Sequence, residues 1–285
     1  MINRYRSRYL RLIAYAMLIV FALIYLAPFV IEIANSFKTD GDASANGLSL
    51  VPHPATLSAW DQIFGIQNNG VTDIPRWLFN SAFVATIITI ASVFLASLAG
   101  YALARLEFRG RRLILGLVIA TLAVPSVVLL IPQFLMLKQL GLFNTYQGMI
   151  LPISVSATGI FMMRQFFLQV PVSLEEAARM DGAGIFTTWW RIVLPIVRPG
   201  LITLTIISFQ GAWNQFAFFT VATTSPKYFT LTTGLANIVG GGLSAGNQFP
   251  LKLGAALVTT IPIAVLFFVF QRYLVRGRLE GAVKQ

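Results

Sequence analysis

The polar groups that could do chemistry are few in this 285-residue sequence, and they are densest between residues 171 and 195. Glu175, Glu176 and Asp181 lie there, with Arg179 among them. The sequence has no cysteine and one histidine, which argues against thiol chemistry, disulfides and a metal site. Catalysis needs a convergent set of nucleophile, base or metal ligands. We therefore predict a binding surface here, with no catalytic residues, and do not expect an enzyme.

The local pattern of this segment predicts two short helices. Pro171 ends the preceding apolar run, and Ser173 with Glu176 three residues later forms a capping box, so a helix should begin at Ser173. Gly182 should stop it. A second, amphipathic helix should follow and end at Pro195; its apolar positions are Phe186, Trp189, Trp190, Ile192 and Val193.

The first of these helices has two possible roles. Ala177 and Ala178 leave a smooth surface beside the acidic side chains, which suits insertion into the groove of a partner. A capped amphipathic helix lying at the level of the lipid headgroups explains the same residues, and capping alone can account for Glu176. The residues by themselves leave both roles open.

The elements around this segment are those of a membrane protein. Hydrophobic residues make up 56% of the sequence and charged residues 11%, with a mean hydropathy of +0.75. Soluble domains are about 25% charged. A membrane-spanning helix needs about 20 mostly apolar residues, and six stretches qualify: residues 12–34, 78–104, 113–137, 148–170, 199–222 and 251–271.

These spans predict one all-α transmembrane domain over residues 1–285, with a cytoplasmic loop at 171–195 and external loops at 35–77 and 223–250. The first apolar run is too long for the core of a signal peptide, so we expect a retained span. A short surface helix is possible at 60–66. Bends are expected at three prolines within the spans: Pro125, Pro132 and Pro262.

The basic residues indicate the orientation of these spans. With both termini in the cytoplasm, all but five of the 21 Lys and Arg residues lie on the inner side; the five are Lys38, Arg76, Lys138, Lys227 and Lys252. This is the positive-inside pattern. The formal charge of +11 is therefore a topology signal, and nucleic-acid binding is not predicted, because such proteins cluster their charge on one face.

One polar cluster lies inside a predicted span. Trp213, Asn214, Gln215 and Phe216 fall within residues 199–222, where amides face a bundle interior or an aqueous cavity rather than lipid. Hydrogen bonding between helices is the plainer role for the amides. Lining the route of a polar solute is the alternative, since amide hydrogen bonds and aromatic stacking suit a sugar.

The spacing within residues 171–195 resembles the signature loop of the permeases of binding-protein-dependent ABC importers. It reads Glu176-Ala177-Ala178, three residues, Gly182, nine residues, then Ile192-x-Leu194-Pro195. In that family the loop forms a coupling helix that sits in a cleft of the ATPase subunit. The resemblance implies this role for seven residues: Glu175, Glu176, Ala177, Ala178, Asp181, Gly182 and Ala183.

Further motifs resemble the second, six-span permease of maltose-type carbohydrate importers. They are Phe79-Asn80-Ser81, Tyr101-Ala102-Leu103-Ala104-Arg105, Leu140-Gly141-Leu142-x-Asn144-Thr145, Trp213-Asn214-Gln215-Phe216 and Gly281-Ala282-Val283-Lys284. The family more often has an acidic residue where Gln215 stands, so no role that needs this charge is carried over. The resemblance implies the type I importer permease fold, with Trp213 to Phe216 as candidates for the substrate path.

The resemblance also implies an assembly in the bacterial or archaeal cytoplasmic membrane. Its other members would be a second, non-identical permease, two ATP-binding-cassette ATPase subunits and an extracytoplasmic solute-binding protein that delivers a sugar. No cofactor is expected on this chain, because residues 240–246 are glycine-rich but lack the Lys-Ser/Thr of a P-loop. ATP and Mg²⁺ would be bound by the ATPases.

Two alternatives stay open for the solute and the energy source. The same machinery could carry a polyol or glycerol phosphate. An ion-coupled secondary transporter would place carboxylates or histidines in mid-membrane and often show inverted repeats, and the sequence shows neither.

Overall fold

The computed structural model describes residues 2–65, 73–240 and 248–282, and within them every regular element is helical. The α-helices are, in order, α1 Ile2–Ser36, α2 Asp40–Ala45, α3 Ser58–Ile63, α4 Ile74–Arg105, α5 Arg111–Leu122, α6 Leu130–Gln139, α7 Tyr146–Ile150, α8 Ala157–Leu168, α9 Val172–Met180, α10 Ile185–Thr187, α11 Leu194–Ile196, α12 Arg198–Trp213, α13 Ala217–Ala222, α14 Leu231–Gly240 and α15 Phe249–Ala282. Short 3₁₀ turns cover Ser126–Leu129, Leu151–Ile153 and Pro226–Tyr228, and a π-helix covers Thr188–Val193.

Three stretches of the described chain are long and apolar enough to cross a membrane: Tyr9–Ser36, Ile74–Arg105 and Phe249–Phe270. Three further candidates are bent pairs: Arg111–Leu122 with Ser126–Gln139 at 97°, Tyr146–Ile153 with Ala157–Leu168 at 44°, and Ile185–Ile196 with Arg198–Trp213 at 83°. Counting each bent pair as one span gives up to six, the number predicted. The first two bends fall inside the third and fourth predicted spans. The third bend lies before the fifth predicted span, 199–222, which is instead interrupted between Trp213 and Ala217.

Proline explains the break in the third span. Pro125 has an extended backbone (φ −62°, ψ 127°) and precedes the turn Ser126–Leu129. Proline lacks an amide hydrogen and restricts the residue before it, so helices tend to end there. Pro132 lies in the first turn of α6, where the missing hydrogen bond costs nothing, and α15 runs on through Pro262. Of the three expected bends, only the one at Pro125 interrupts a helix.

The chain divides into two compact units, residues 1–75 with 235–261 and residues 76–234 with 262–285. In the first unit, α2 and α3 interrupt the predicted external loop. Lys38 is buried, and its ammonium donates to the carbonyl oxygens of Asn46 and Ser49, each at 2.7 Å. The Asp42 carboxylate accepts hydrogen bonds from the Asn46 amide and the His53 backbone N–H, both at 2.9 Å. These bonds fold residues 38–53 back on themselves.

The second unit has an apolar core built by α4, α8, the π-helix and α12. Its largest members include Tyr101, Phe167, Trp189 and Leu204, all buried. Helices α4 and α8 approach closely at Gly100, where a Cβ would lie 2.9 Å from the Met163 Cβ and from the Arg164 nitrogen. Only glycine fits this contact. It brings the C-terminal end of α4 close to α8, beside α9.

Many apolar side chains face outward in the helices assigned to the membrane. None of the described side chains in the apolar window of α1 is buried, and the described α5 likewise has none. Exposed apolar surface of this extent requires lipid or another membrane subunit. The predicted external loop 223–250 contains α14 and the 3₁₀ turn Pro226–Tyr228; its residues 241–247 lie outside the described chain. Val283 and Lys284 of the C-terminal motif lie outside it too.

Candidate functional site

Helix α9, at the centre of the predicted coupling loop, begins one residue earlier than expected. In this described segment Pro171 is the N-cap (φ −58°, ψ 132°) and makes no side-chain capping hydrogen bond, and Val172 is the first helical residue. Ser173 therefore lies inside the first turn, and the predicted capping box is wrong. Proline supplies the start instead, because its fixed φ suits entry to a helix without a capping side chain. Glu176 is exposed and has no part in the cap.

The predicted end of α9 is confirmed. Asp181 is the C-cap, and Gly182 has a left-handed backbone with φ +80°. The Gly182 N–H donates to the Arg179 carbonyl at 3.0 Å, and the Ala183 N–H donates to the Ala178 carbonyl at 2.9 Å. A Cβ on Gly182 would meet no atom within 4 Å. The backbone conformation, rather than lack of space, is what favours glycine here.

The seven predicted coupling residues divide between two faces of α9 and its C-terminal turn. Glu175 and Ala178 are buried, as their spacing of three residues on one helix face allows. The exposed members are Glu176, Ala177, Asp181 and Gly182, and Ala183 is half-buried. The outer surface thus carries Glu176 and Asp181 together with the exposed Arg179 and Met180, while Glu175 points toward the rest of its unit.

Glu175 is held by two side chains of α4. The Arg105 Nε lies 2.9 Å from the Glu175 Oε1 as an ion pair, and the Tyr101 hydroxyl donates to Oε2 at 3.0 Å. The Arg105 Nη2 also donates to the carbonyl oxygens of Phe167, at 2.6 Å, and Val170. Tyr101 and Arg105 share one face of α4 because they are four residues apart. Their motif was visible in the sequence, but nothing in it indicated a partner seventy residues away.

The second helix of the loop differs from its prediction. Residues 188–193 form a π-helix, and the chain turns at Val197 rather than Pro195. Trp189 and Val193 are buried, and the Trp189 Nε1 donates to the Ser97 hydroxyl at 3.2 Å. Phe186 and Trp190 are 64% and 53% exposed. The predicted apolar face is therefore split between the core and the surface.

The substrate-path candidates lie at a helix break, not inside a continuous span. Helix α12 ends at Trp213, Asn214 is its C-cap, and α13 begins at Ala217. Asparagine favours helix ends, since its side chain competes for backbone hydrogen bonds. Trp213 is buried and stacks on Phe209, with ring centroids 5.8 Å apart. Asn214 and Phe216 are exposed, whereas Gln215 is half-buried. The backbone carbonyl of Gln215 accepts a hydrogen bond from the Thr232 hydroxyl at 3.1 Å.

Two of the remaining sequence motifs meet at the segment that follows this break. The buried Asn80 donates through Nδ2 to the carbonyls of Lys227, at 3.0 Å, and Phe229, at 2.8 Å. Its Oδ1 accepts from the Tyr146 hydroxyl at 2.7 Å. Asn144 Oδ1 accepts from the backbone N–H groups of Thr224 and Ser225, at 2.7 and 3.1 Å. We name residues 224–231 the anchored segment. Within the described residues, no cluster of His, Cys, Asp and Glu is suited to a metal ion.

Comparison with known proteins gives one consistent family. Residues 92–279 match the model of the binding-protein-dependent transport system inner membrane component. The arabinooligosaccharides transport system permease protein AraQ of Halalkalibacterium halodurans is 34% identical over 263 residues, 92% of either chain. The sulfoquinovosyl glycerol permease protein SmoH of Agrobacterium fabrum is 32% identical, covering 96% of this chain and 93% of the relative. The sn-glycerol-3-phosphate permease protein UgpE of Yersinia pestis is 31% identical, covering 96% and 98%.

A solved structure shares the fold. It is a bacterial ABC transporter involved in the import of the acidic polysaccharide alginate, with a TM-score of 0.78, 23% sequence identity, and coverage of 94% of this chain and 97% of the other. This similarity confirms the predicted all-α importer permease fold. The family match spans well over half of the sequence, and the relatives match almost end to end. The chain therefore belongs to the inner membrane components of binding-protein-dependent transport systems, and it is a multi-pass permease of an ABC importer.

Proposed function

We propose that this permease carries a carbohydrate, or a closely related polyhydroxylated solute, into the cytoplasm of a bacterium or archaeon. The relatives named above transport arabinooligosaccharides, sulfoquinovosyl glycerol and sn-glycerol-3-phosphate. These solutes share hydroxyl-rich chemistry, which supports the sugar as first choice and a polyol or glycerol phosphate as the second. The chain itself does no catalysis under this proposal. An extracytoplasmic binding protein would deliver the solute.

The exposed face of α9 carries the proposal for coupling. Glu176 and Asp181 are exposed beside the small Ala177 and Gly182. The exposed Arg179 and Met180 add one basic and one apolar side chain to this surface. A cleft with basic side chains would match it in shape and charge. We place one ATPase subunit of a pair on this face. ATP and Mg²⁺ would be bound by the ATPases, and a second, non-identical permease would complete the membrane part and cover some of its exposed apolar surface.

The helix break at residues 214–216 supports the proposed solute path. Breaks in membrane helices are tolerated where the backbone lines a cavity or is buried in protein, and binding sites of transporters often use them. Asn214 and Phe216 are exposed there, and they offer an amide and an aromatic face to a sugar. Trp213 packs against Phe209 instead, so its role under this proposal is to support the break.

The distribution of charge supports one orientation in the membrane. The segment 171–195 would face the cytoplasm together with both termini, because this places most arginines inside. The anchored segment would then face outward, toward the binding protein. Both units, including residues 1–75, would act as one membrane domain.

Uptake by the reconstituted complex tests this function. The permeases and ATPases would be placed in proteoliposomes, with labelled arabinooligosaccharide, a polyol and glycerol 3-phosphate offered in turn with the binding protein. We expect uptake of one solute that requires both ATP and the binding protein. Uptake that persists without ATPases and follows a proton or sodium gradient would contradict the proposal. A melting shift of the binding protein across the same panel would identify the solute.

A further inference from the structure

The ion pair between Arg105 and Glu175 is unusual because it is almost completely removed from solvent. The side chains are 9% and 2% exposed, and Tyr101, which completes the group, is also buried. We name these three residues the buried tie. It joins α9, the proposed docking helix, to the C-terminal end of the 32-residue α4.

The guanidinium of Arg105 joins three elements at one point. It is the last residue of α4, it pairs with Glu175 of α9, and it donates to the carbonyls of Phe167 and Val170 at the end of α8. Carbonyls at a helix end lack the usual intrahelical partner; here the Phe167 carbonyl also accepts from the Val170 N–H at 3.2 Å. Arginine suits this role because its rigid fork presents five donors in fixed directions. Between α4 and α9, the ion pair supplies attraction and the hydrogen bond from the Tyr101 hydroxyl to Glu175 supplies direction.

Stability alone is a poor explanation for such a group. Removing two charges from water is costly, and replacement of a buried ion pair by apolar residues is often neutral or stabilising. Apolar contact would also hold α9 to its unit, as the buried Ala178 does. Apolar contacts lack direction, however, and would let a helix of nine residues slide or rotate. The hydrogen bond from the Tyr101 hydroxyl to Glu175 adds the direction that apolar contacts lack.

Among the described residues, the two ends of α9 have no comparable polar contact with α4. Pro171 precedes the helix, and Gly182 follows it in a left-handed turn with open space around the Cβ position. The exposed side chains of α9 face away from the unit. A force applied to that outer face would reach the rest of the unit through the packing of α9 on the π-helix Thr188–Val193 and, toward α4, through Glu175.

We propose that Glu175 is a positioning residue for coupling, and that Arg105 and Tyr101 hold it so that displacement of α9 is passed directly to α4. This inference rests on the proposed function, in which an ATPase docks on α9. Glu175 would then act inside the permease, behind the docking surface, and would not itself contact the ATPase.

Variants that remove the buried tie without destabilising the permease test its role in coupling. In the double variant Arg105→Gln/Glu175→Leu, the new amide retains a donor for the α8 carbonyls, leucine fills the space, and no charge is left unpaired. Tyr101→Phe removes only a hydroxyl and keeps the ring that packs on Phe167. Glu107→Gln is the matched control, since Glu107 is exposed two residues beyond Arg105. Each full complex would be measured in nanodiscs and proteoliposomes.

We expect the double variant to copurify with the ATPases and to melt close to the wild type. The amount of solute carried per ATP hydrolysed should fall about tenfold, which is within the usual range of coupling between distinct sites. Tyr101→Phe should lose about threefold, as expected for one hydrogen bond, and Glu107→Gln should match the wild type. Normal transport per ATP in the double variant, or in Tyr101→Phe should the double variant fail to assemble, would overturn the positioning role. Failure of the wild-type complex to couple ATP to uptake would instead overturn the proposed function.

Discussion

Asn80 should be the main support of the anchored segment, and Asn80→Ala tests this. The substitution removes two hydrogen bonds to the carbonyls of Lys227 and Phe229 and one from the Tyr146 hydroxyl. A typical intramolecular hydrogen bond contributes about 1 kcal/mol net, so the loss should be about 3 kcal/mol in total. At about 2–4 °C per kcal/mol for a domain of this size, the Tm should fall by about 6–12 °C.

A local readout separates release of the segment from general unfolding. Trypsin cleaves after lysine, and the backbone carbonyl of Lys227 accepts a hydrogen bond from Asn80. The two bonds made directly to the segment are worth about 2 kcal/mol, so opening at Lys227 should rise about 30-fold, since each 1.4 kcal/mol is a factor of ten. Fragment masses would identify cleavage at this site. The control is Gln139→Ala, which removes an exposed amide.

The reasoning would be refuted by an Asn80→Ala protein that melts with the wild type and resists trypsin equally at Lys227. Such a result would show that the segment is held without Asn80 by Arg76, which donates to the Lys227 carbonyl at 3.2 Å, by Trp77, whose indole donates to the Pro226 carbonyl at 3.3 Å, and by Asn144. A similar loss in Gln139→Ala would equally contradict it, because that side chain is exposed.

Three further predictions concern other parts of the chain. Gly182→Ala should lose about 1–2 kcal/mol, the cost of a left-handed backbone for an L-residue, whereas Gly184→Ala, with φ −72° and open space, should melt with the wild type. Hydrogen bonds from the Asn46 side chain and the His53 backbone, with the charge of Lys38, hold the pKa of Asp42 below its usual value. A carboxyl with a lowered folded-state pKa stabilises the folded protein above its unfolded pKa of about 4, and this stabilisation is lost as the pH falls through the folded-state pKa. The Tm difference between the wild type and Asp42→Asn should therefore shrink below about pH 4. A Tm difference that does not change with pH would contradict this role of Asp42. Glu176→Gln should leave the melting of α9 unchanged but reduce ATP hydrolysis stimulated by the binding protein; normal stimulation would show that docking does not need this charge.

Local sequence signals predicted the features of α9 that depend on local physics. Gly182 ended the helix as expected, because only its own backbone angles are involved. The start was misplaced by one residue, since Ser173 matches a capping box in sequence but Pro171 already fixes entry to the helix. The alternation of buried Glu175 and exposed Glu176 could not be assigned, because two adjacent glutamates are equivalent until the supporting helix is known.

Long-range contacts account for the rest of what the sequence did not reveal. Arg105 and Glu175 are brought together by the packing of α4 on α8 at Gly100, which depends on the whole core of the unit. The break after Trp213 has no proline, and the two polar residues Asn214 and Gln215 are too few to divide the apolar stretch 199–222 by composition. The total number of apolar stretches was readable, since length and composition decide it, but the bends of 97°, 44° and 83° were not.

The central claim, that the outer face of α9 docks on an ATPase, can be tested by crosslinking. The sequence has no cysteine, so a single cysteine carries a photo-crosslinker without competition. Ala177→Cys places it on the exposed face of α9, and Ala55→Cys places it on an exposed site of the predicted external segment as a control. In the intact complex we expect an adduct between the ATPase and Ala177→Cys and none with Ala55→Cys. Absence of that adduct, or equal crosslinking from both sites, would contradict the account.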